Sequence, residues 1–75
     1  MEINEFIANF AEQFDETDAS VFTPETKFRE LEEWSSLIAL SVISMIDDEY
    51  DIQLSGNDMR EAETIQDLFN TVSSK

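Results

Sequence analysis

The chain has 75 residues with 18 acids against 4 bases, a formal charge of −14, which suits one small domain and has the wrong sign for nucleic-acid phosphates. It has no cysteine and no histidine, which removes disulfides, a thiolate nucleophile, a zinc ribbon and the usual general base. One glycine and one proline argue against hairpin-rich β architecture, while 41% hydrophobic residues suffice for a small core.

Ile3, Phe6, Ile7, Phe10 and Phe14 recur at helical spacing, with Glu5, Asn9, Glu12 and Asp15 on the opposite face. The spacing predicts an amphipathic helix over 3–15. Asp15 and Glu16 then oppose the helix dipole and mark its end. Residues 16–35 show no sustained period, and Thr17, Asp18, Ser20, Thr23, Pro24 and Thr26 are turn and cap formers. Val21, Phe22, Phe28 and Leu31 are expected to pin this stretch to the core as a packed crossover, with a turn of helix near Pro24–Phe28.

A second helix is predicted over 36–50, starting at the serines of Trp34-Ser35-Ser36-Leu37 and closing on Asp47, Asp48 and Glu49. Apolar residues nearly encircle it, as befits a central helix. Ile52 and Leu54 then alternate with polar residues in an extended connection, and Gly56-Asn57 marks a turn. Asn57 or Asp58 is expected to cap a very short helix through Ala62 with Met59 facing inward. Thr64-Ile-Gln-Asp67 resembles a capping box opening a final helix with Ile65, Leu68, Phe69 and Val72 on one face. Ser73-Ser74-Lys75 is expected to fray. The sum is an all-α fold, a small antiparallel four-helix bundle of three main helices and one short one with a long first crossover, forming a single domain over 1–75.

Ser36 is the nucleophile candidate in a distinctive setting, at the positive end of the central helix, where a phosphate is well placed. The chain holds no residue to activate it, so a self-contained serine hydrolase is excluded as the working idea; if Ser36 reacts, another enzyme does the work. The competing reading is a serine that caps its helix and nothing more. Asp47, Glu49, Asp51 and Asp58 match four positions of a calcium loop, but Ile52 stands where that loop requires glycine, so no metal site is expected. Asp47 and Asp48 sit at the negative end of the helix dipole, a local cost that suggests a basic partner. Leu37, Ile38 and Leu40 cannot all be buried in so small a domain, and an apolar patch with an acidic margin suggests a docking surface. The acidic N-terminus lacks the basic region of a signal peptide, and no uncharged apolar run approaches the roughly 18 residues of a membrane span, so a cytoplasmic monomer is expected.

Taken together, these residues resemble the acyl carrier protein family. Its Asp-Ser-Leu signature opens the second of four helices, where this chain has Ser35-Ser36-Leu37, with Phe28 eight residues before the serine. Tyr50-Asp51-Ile52-Gln53-Leu54 is similar to the family's acidic-aromatic stretch, and Thr64-Ile65-Gln66 to the Thr-Val-Gln opening its last helix. The resemblance spans essentially the whole chain. It implies a carrier and not an enzyme: a phosphopantetheinyl transferase attaches 4′-phosphopantetheine from coenzyme A to Ser36, making a phosphoprotein. The arm's thiol then presents acyl groups to fatty-acid or related lipid-metabolism enzymes with basic docking surfaces, through Leu37, Ile38, Leu40, Asp47 and Asp48. An aminoacyl or peptidyl carrier, or an unmodified docking module, are the alternatives. The chain departs from the family at Ser35, where Asp is usual, and in an early second helix that is less acidic.

Overall fold

The computed structural model describes residues 2–75. The chain runs through α1 (Ile3–Ala11), α2 (Ser36–Tyr50), α3 (Gly56–Glu61) and α4 (Ile65–Ser73), with no strand among the described residues. The four helices form a small bundle around one core, as the hydrophobic periods predict. Phe6, Phe10, Phe28, Val42, Ile46, Ile65, Leu68 and Val72 are its fully buried side chains. Phe10 lies at the hub: its ring centroid is 5.6 Å from those of Phe14 and Phe28, 6.1 Å from Phe22 and 6.4 Å from Trp34. Burying one such ring contributes about 1.5–3 kcal/mol, a large fraction of a small domain's stability.

The first helix is shorter than the predicted 3–15. It ends at Ala11, and the Gln13 and Phe14 amides turn back to Phe10 and Ala11 carbonyls in tighter, three-residue bonds. The physical reason lies far along the chain. The Glu33 carboxylate accepts from the Asp15 amide at 2.6 Å, the Glu16 amide at 3.0 Å and the Thr17 hydroxyl at 2.7 Å. The amides just past the tighter turn, Asp15 being the one within the predicted span, are therefore drawn to Glu33 and away from a helical ladder. Phe14 remains buried, so the periodicity was right about the face and wrong about the backbone.

The crossover is packed, as expected, but by Phe22 and Phe28 with help from Leu31 and Trp34. Val21 does not join them and is 41% exposed. Short 3-10 turns occur at Ala19–Val21, where the Asp18 carboxylate accepts from the Ser20 amide, and at Phe28–Glu30. The stretch then serves α4: the Pro24 and Thr26 carbonyls accept from the Gln66 and Ile65 amides at 2.9 and 3.1 Å, and Lys27 pairs with Thr64 in a single antiparallel bridge.

The predicted 36–50 bounds of α2 are those observed. Asp51 ends it in the left-handed region at φ 55°, a conformation that aspartate tolerates better than most residues, and its amide reaches the Asp47 carbonyl at 2.9 Å. The short helix α3 differs in its cap. Ser55, and neither Asn57 nor Asp58, is the N-cap, with Asp58 closing a reciprocal box and Gly56 as the first helical residue. Met59 is buried, as predicted. The capping box at Thr64 and Asp67 is present. At residues 73–75, where fraying is expected, Ser73 is helical, the Ser74 amide meets the Asn70 carbonyl, and Lys75 Nζ lies 3.2 Å from Asp58.

Candidate functional site

The start of α2 is set from both sides. Before it, Trp34 stacks on Phe10, packs against Phe28 at 4.9 Å, and donates its amide to the Leu31 carbonyl. After it, Ile38 is half-buried against the core. Between these anchors the two serines divide the work. Ser35 is the N-cap, its hydroxyl accepting from the Ile38 amide at 3.3 Å. Ser36 is the first helical residue and exposed, and its hydroxyl meets no partner among the described residues. The idea that Ser36 is a cap and nothing more is therefore corrected: the cap is its neighbour.

The local electrostatics favour an anion. The first turn of α2 contains no acid, although the chain has 18. Among the described residues, no protein acceptor meets the Ser36 or Leu37 amides. Unpaired amides at the positive end of a helix are the usual seat of a phosphate group. The Glu33 carboxyl nearby is held below its usual range by the Thr17 hydroxyl and the Asp15 amide, so it stays charged and keeps the approach to Trp34 fixed.

Beside Ser36 runs an open groove of about 580 Å³ between the start of α2, the 28–30 turn and α3. Trp34, Ala39, Leu40, Ile43 and Met59 give it an apolar wall, and Ser35, Ser36, Gly56, Arg29 and Arg60 complete it. Arg29 ties α3 in place by donating from Nη1 to the Met59 and Arg60 carbonyls at 2.9 and 2.7 Å. The sequence offered no signal for these arginines, because the contacts span some thirty residues.

The other predicted residues fall along the same helix. Leu37 and Leu40 are 73% and 61% exposed, whereas Ile38 is shared between surface and core. Asp47 is half-buried and Asp48 exposed, about 17 Å along the axis from Ser36. Asp58, the last position of the calcium-loop spacing, is committed to the Ser55 amide and Lys75. No group of three or more candidate metal-binding side chains occurs among the described residues.

A free hydroxyl on a cationic helix end, with an apolar groove alongside, can accept a phosphoryl group and shelter what hangs from it. Nothing here activates the hydroxyl from within. Residues 4–72 match the protein-family model described as a phosphopantetheine attachment site. No curated protein and no solved structure matches the chain.

Proposed function

The chain belongs to the phosphopantetheine-attachment family, whose members are non-catalytic carriers with a covalent 4′-phosphopantetheine, and we propose that Ser36 bears that group in an acyl carrier of fatty-acid or related biosynthesis. One observation carries the choice of residue: Ser35 spends its hydroxyl on the helix cap and Ser36 does not. The residues present fit the group, since the free hydroxyl, the two open amides and the groove lie together.

In the attachment step Ser36 Oγ attacks the pantetheine-side phosphorus of coenzyme A. The pyrophosphate P–O bond breaks and 3′,5′-ADP leaves. The hydroxyl proton passes to a base of the transferase, because this chain has no histidine to take it. When bound, the arm supplies the thiol that a cysteine-free chain lacks, for holding acyl groups as thioesters. Ser35 and Trp34 meanwhile hold the helix start in position, and the amides of Ser36 and Leu37 favour the phosphate charge.

Leu37, Ile38 and Leu40 form the apolar part of the docking face in this reading, and Asp47 and Asp48 its electrostatic part. Partners are the transferase and acyl-chain enzymes with basic surfaces, approached by a cytoplasmic monomer. No described helix is long and apolar enough to cross a membrane.

The test is the intact mass of the protein before and after incubation with coenzyme A and a broad-specificity transferase. A gain of one phosphopantetheine, mapped by fragmentation to Ser36, is expected. A gain mapped to Ser35 overturns the choice of residue. No gain, even in Ser35→Asp, overturns the carrier reading in favour of an unmodified docking module.

A further inference from the structure

The chain carries four basic side chains against 18 acids, and two of the four, Arg29 and Arg60, line the groove beside Ser36. No carboxylate lines it. Other hollows differ: the polar cleft between α1 and α2 is lined by Glu12, Asp48 and Glu49, the hollow near Thr17 by Glu16, Glu32 and Glu33, and the one that Arg29 shares with Lys27 also holds Glu30 and Glu63. The groove is thus a cationic spot on a strongly anionic molecule.

The two arginines are not equivalent. Arg29 is fixed by its bonds to the Met59 and Arg60 carbonyls and lies 5.8 Å over the Phe28 ring. Arg60 is exposed, and among the described residues its side chain makes neither an ion pair nor a hydrogen bond. An apolar wall with one free guanidinium fits a ligand with a hydrocarbon body and an anionic end. In the carrier reading the open amides of the α2 start would take the arm's phosphate, which leaves the guanidinium for the cargo.

Resting on the carrier reading, the geometry points to a groove selective for acyl groups that end in a carboxylate, with Arg60 as the specificity-determining residue. Arg29 backs it as a fixed charge and holds α3, and with it Arg60, against the groove.

The test loads wild type, Arg60→Gln and Arg60→Lys with adipoyl or hexanoyl groups, which share a chain length and differ in the terminal carboxylate. Neutral hydroxylamine then cleaves the thioester, and the rate per loaded molecule is divided by that of the same coenzyme A thioester. Wild type is expected to protect adipoyl roughly three- to fivefold better than Arg60→Gln does. Hexanoyl protection is the same in both, and Arg60→Lys keeps part of the difference. Trp34, the one tryptophan and a groove residue, is expected to become less accessible to acrylamide on adipoyl loading of wild type only.

Equal adipoyl protection in wild type and Arg60→Gln, or an equal loss for both cargoes, overturns the inference. A phosphorus resonance that shifts with Arg60→Gln in the unloaded, arm-bearing protein, without a cargo effect, assigns Arg60 to the phosphodiester and also overturns it. Failure of wild type to gain the arm's mass overturns the carrier reading as well, whereas loaded protein without the cargo difference overturns this inference alone.

Discussion

The starts of α2 and α4 share a hydroxyl cap three residues before the amide it accepts, and then diverge. At α4 the third residue is Asp67, whose carboxylate reaches back to the Glu63 and Thr64 amides at 3.2 Å. The next two amides, of Ile65 and Gln66, are taken by the crossover carbonyls. At α2 the third residue is Ile38, and the Ser36 and Leu37 amides find no protein acceptor among the described residues. One start is closed by the fold and the other is left open to an anion. Ile38 explains why the box cannot close at α2: it packs against the core, where a carboxylate would lose its water without a partner. The central position of α2 therefore both anchors the helix and keeps its first turn free of acid.

The largest effect that bears on this contrast is chemical. Ser36→Ala is expected to abolish attachment of the arm, measured by intact mass, while its unfolding free energy stays within about 0.5 kcal/mol of wild type. Thr64→Ala, at the closed start, leaves attachment intact. If the two substitutions affect attachment alike, the open start has no special role.

Next in size is the far end of the same helix. With Asp47→Lys and Asp48→Lys together, binding to a basic partner enzyme is expected to weaken about tenfold at low salt, and less as salt is raised. Isothermal titration at two ionic strengths measures it. Unchanged affinity would confine recognition to the apolar start, at Leu37 and Leu40.

Stability comes third. Thr64→Ala breaks a reciprocal box and is expected to cost about 1–2 kcal/mol in urea unfolding, whereas Ser35→Ala loses a single, longer bond and costs about 0.5–1 kcal/mol. A reversed order would mean that the Ser35 cap carries more of the fold than its 3.3 Å bond suggests.

These comparisons also mark what the chain discloses before it folds. The bounds of α2 and the box at Thr64–Asp67 are legible because a hydroxyl, a period and an apolar run agree within a few residues. Whether Ser35 or Ser36 caps α2 is not legible, since both hydroxyls suit the role and only the backbone conformation chooses. The same ambiguity hid Ser55 behind Gly56-Asn57. Glu33 and Arg29 escaped for a different reason. Each binds mostly backbone atoms far away in sequence, with the Thr17 hydroxyl besides for Glu33, and a backbone partner leaves no residue-type signature. The turn that follows α1 and the placing of α3 are held by those two side chains.

The smallest effect separates the two helix starts by acid alone. The Asp67 carboxyl is held below its usual range by the Thr64 amide first and the Glu63 amide next, and Asp58 likewise by the Ser55 amide and Lys75. A carboxyl whose folded pKa is depressed contributes stability that is present above the unfolded value and is lost as pH falls through the folded one. The caps of α3 and α4 should therefore weaken as pH drops below about 4, the ordinary aspartate value. The Ser35 cap of α2 contains no titrating group and should not respond. Protonation elsewhere relieves the self-repulsion of a chain with charge −14 and acts in the opposite direction, so wild-type unfolding alone mixes both terms. Asp67→Asn isolates the cap: its urea midpoint should lie below that of wild type at pH 6, and the gap should narrow progressively as pH falls below about 4 toward the lowered folded value. A gap that persists unchanged into acid would mean that Asp67 acts by shape and not by charge, and the closed start would then owe its strength to the crossover carbonyls of Pro24 and Thr26.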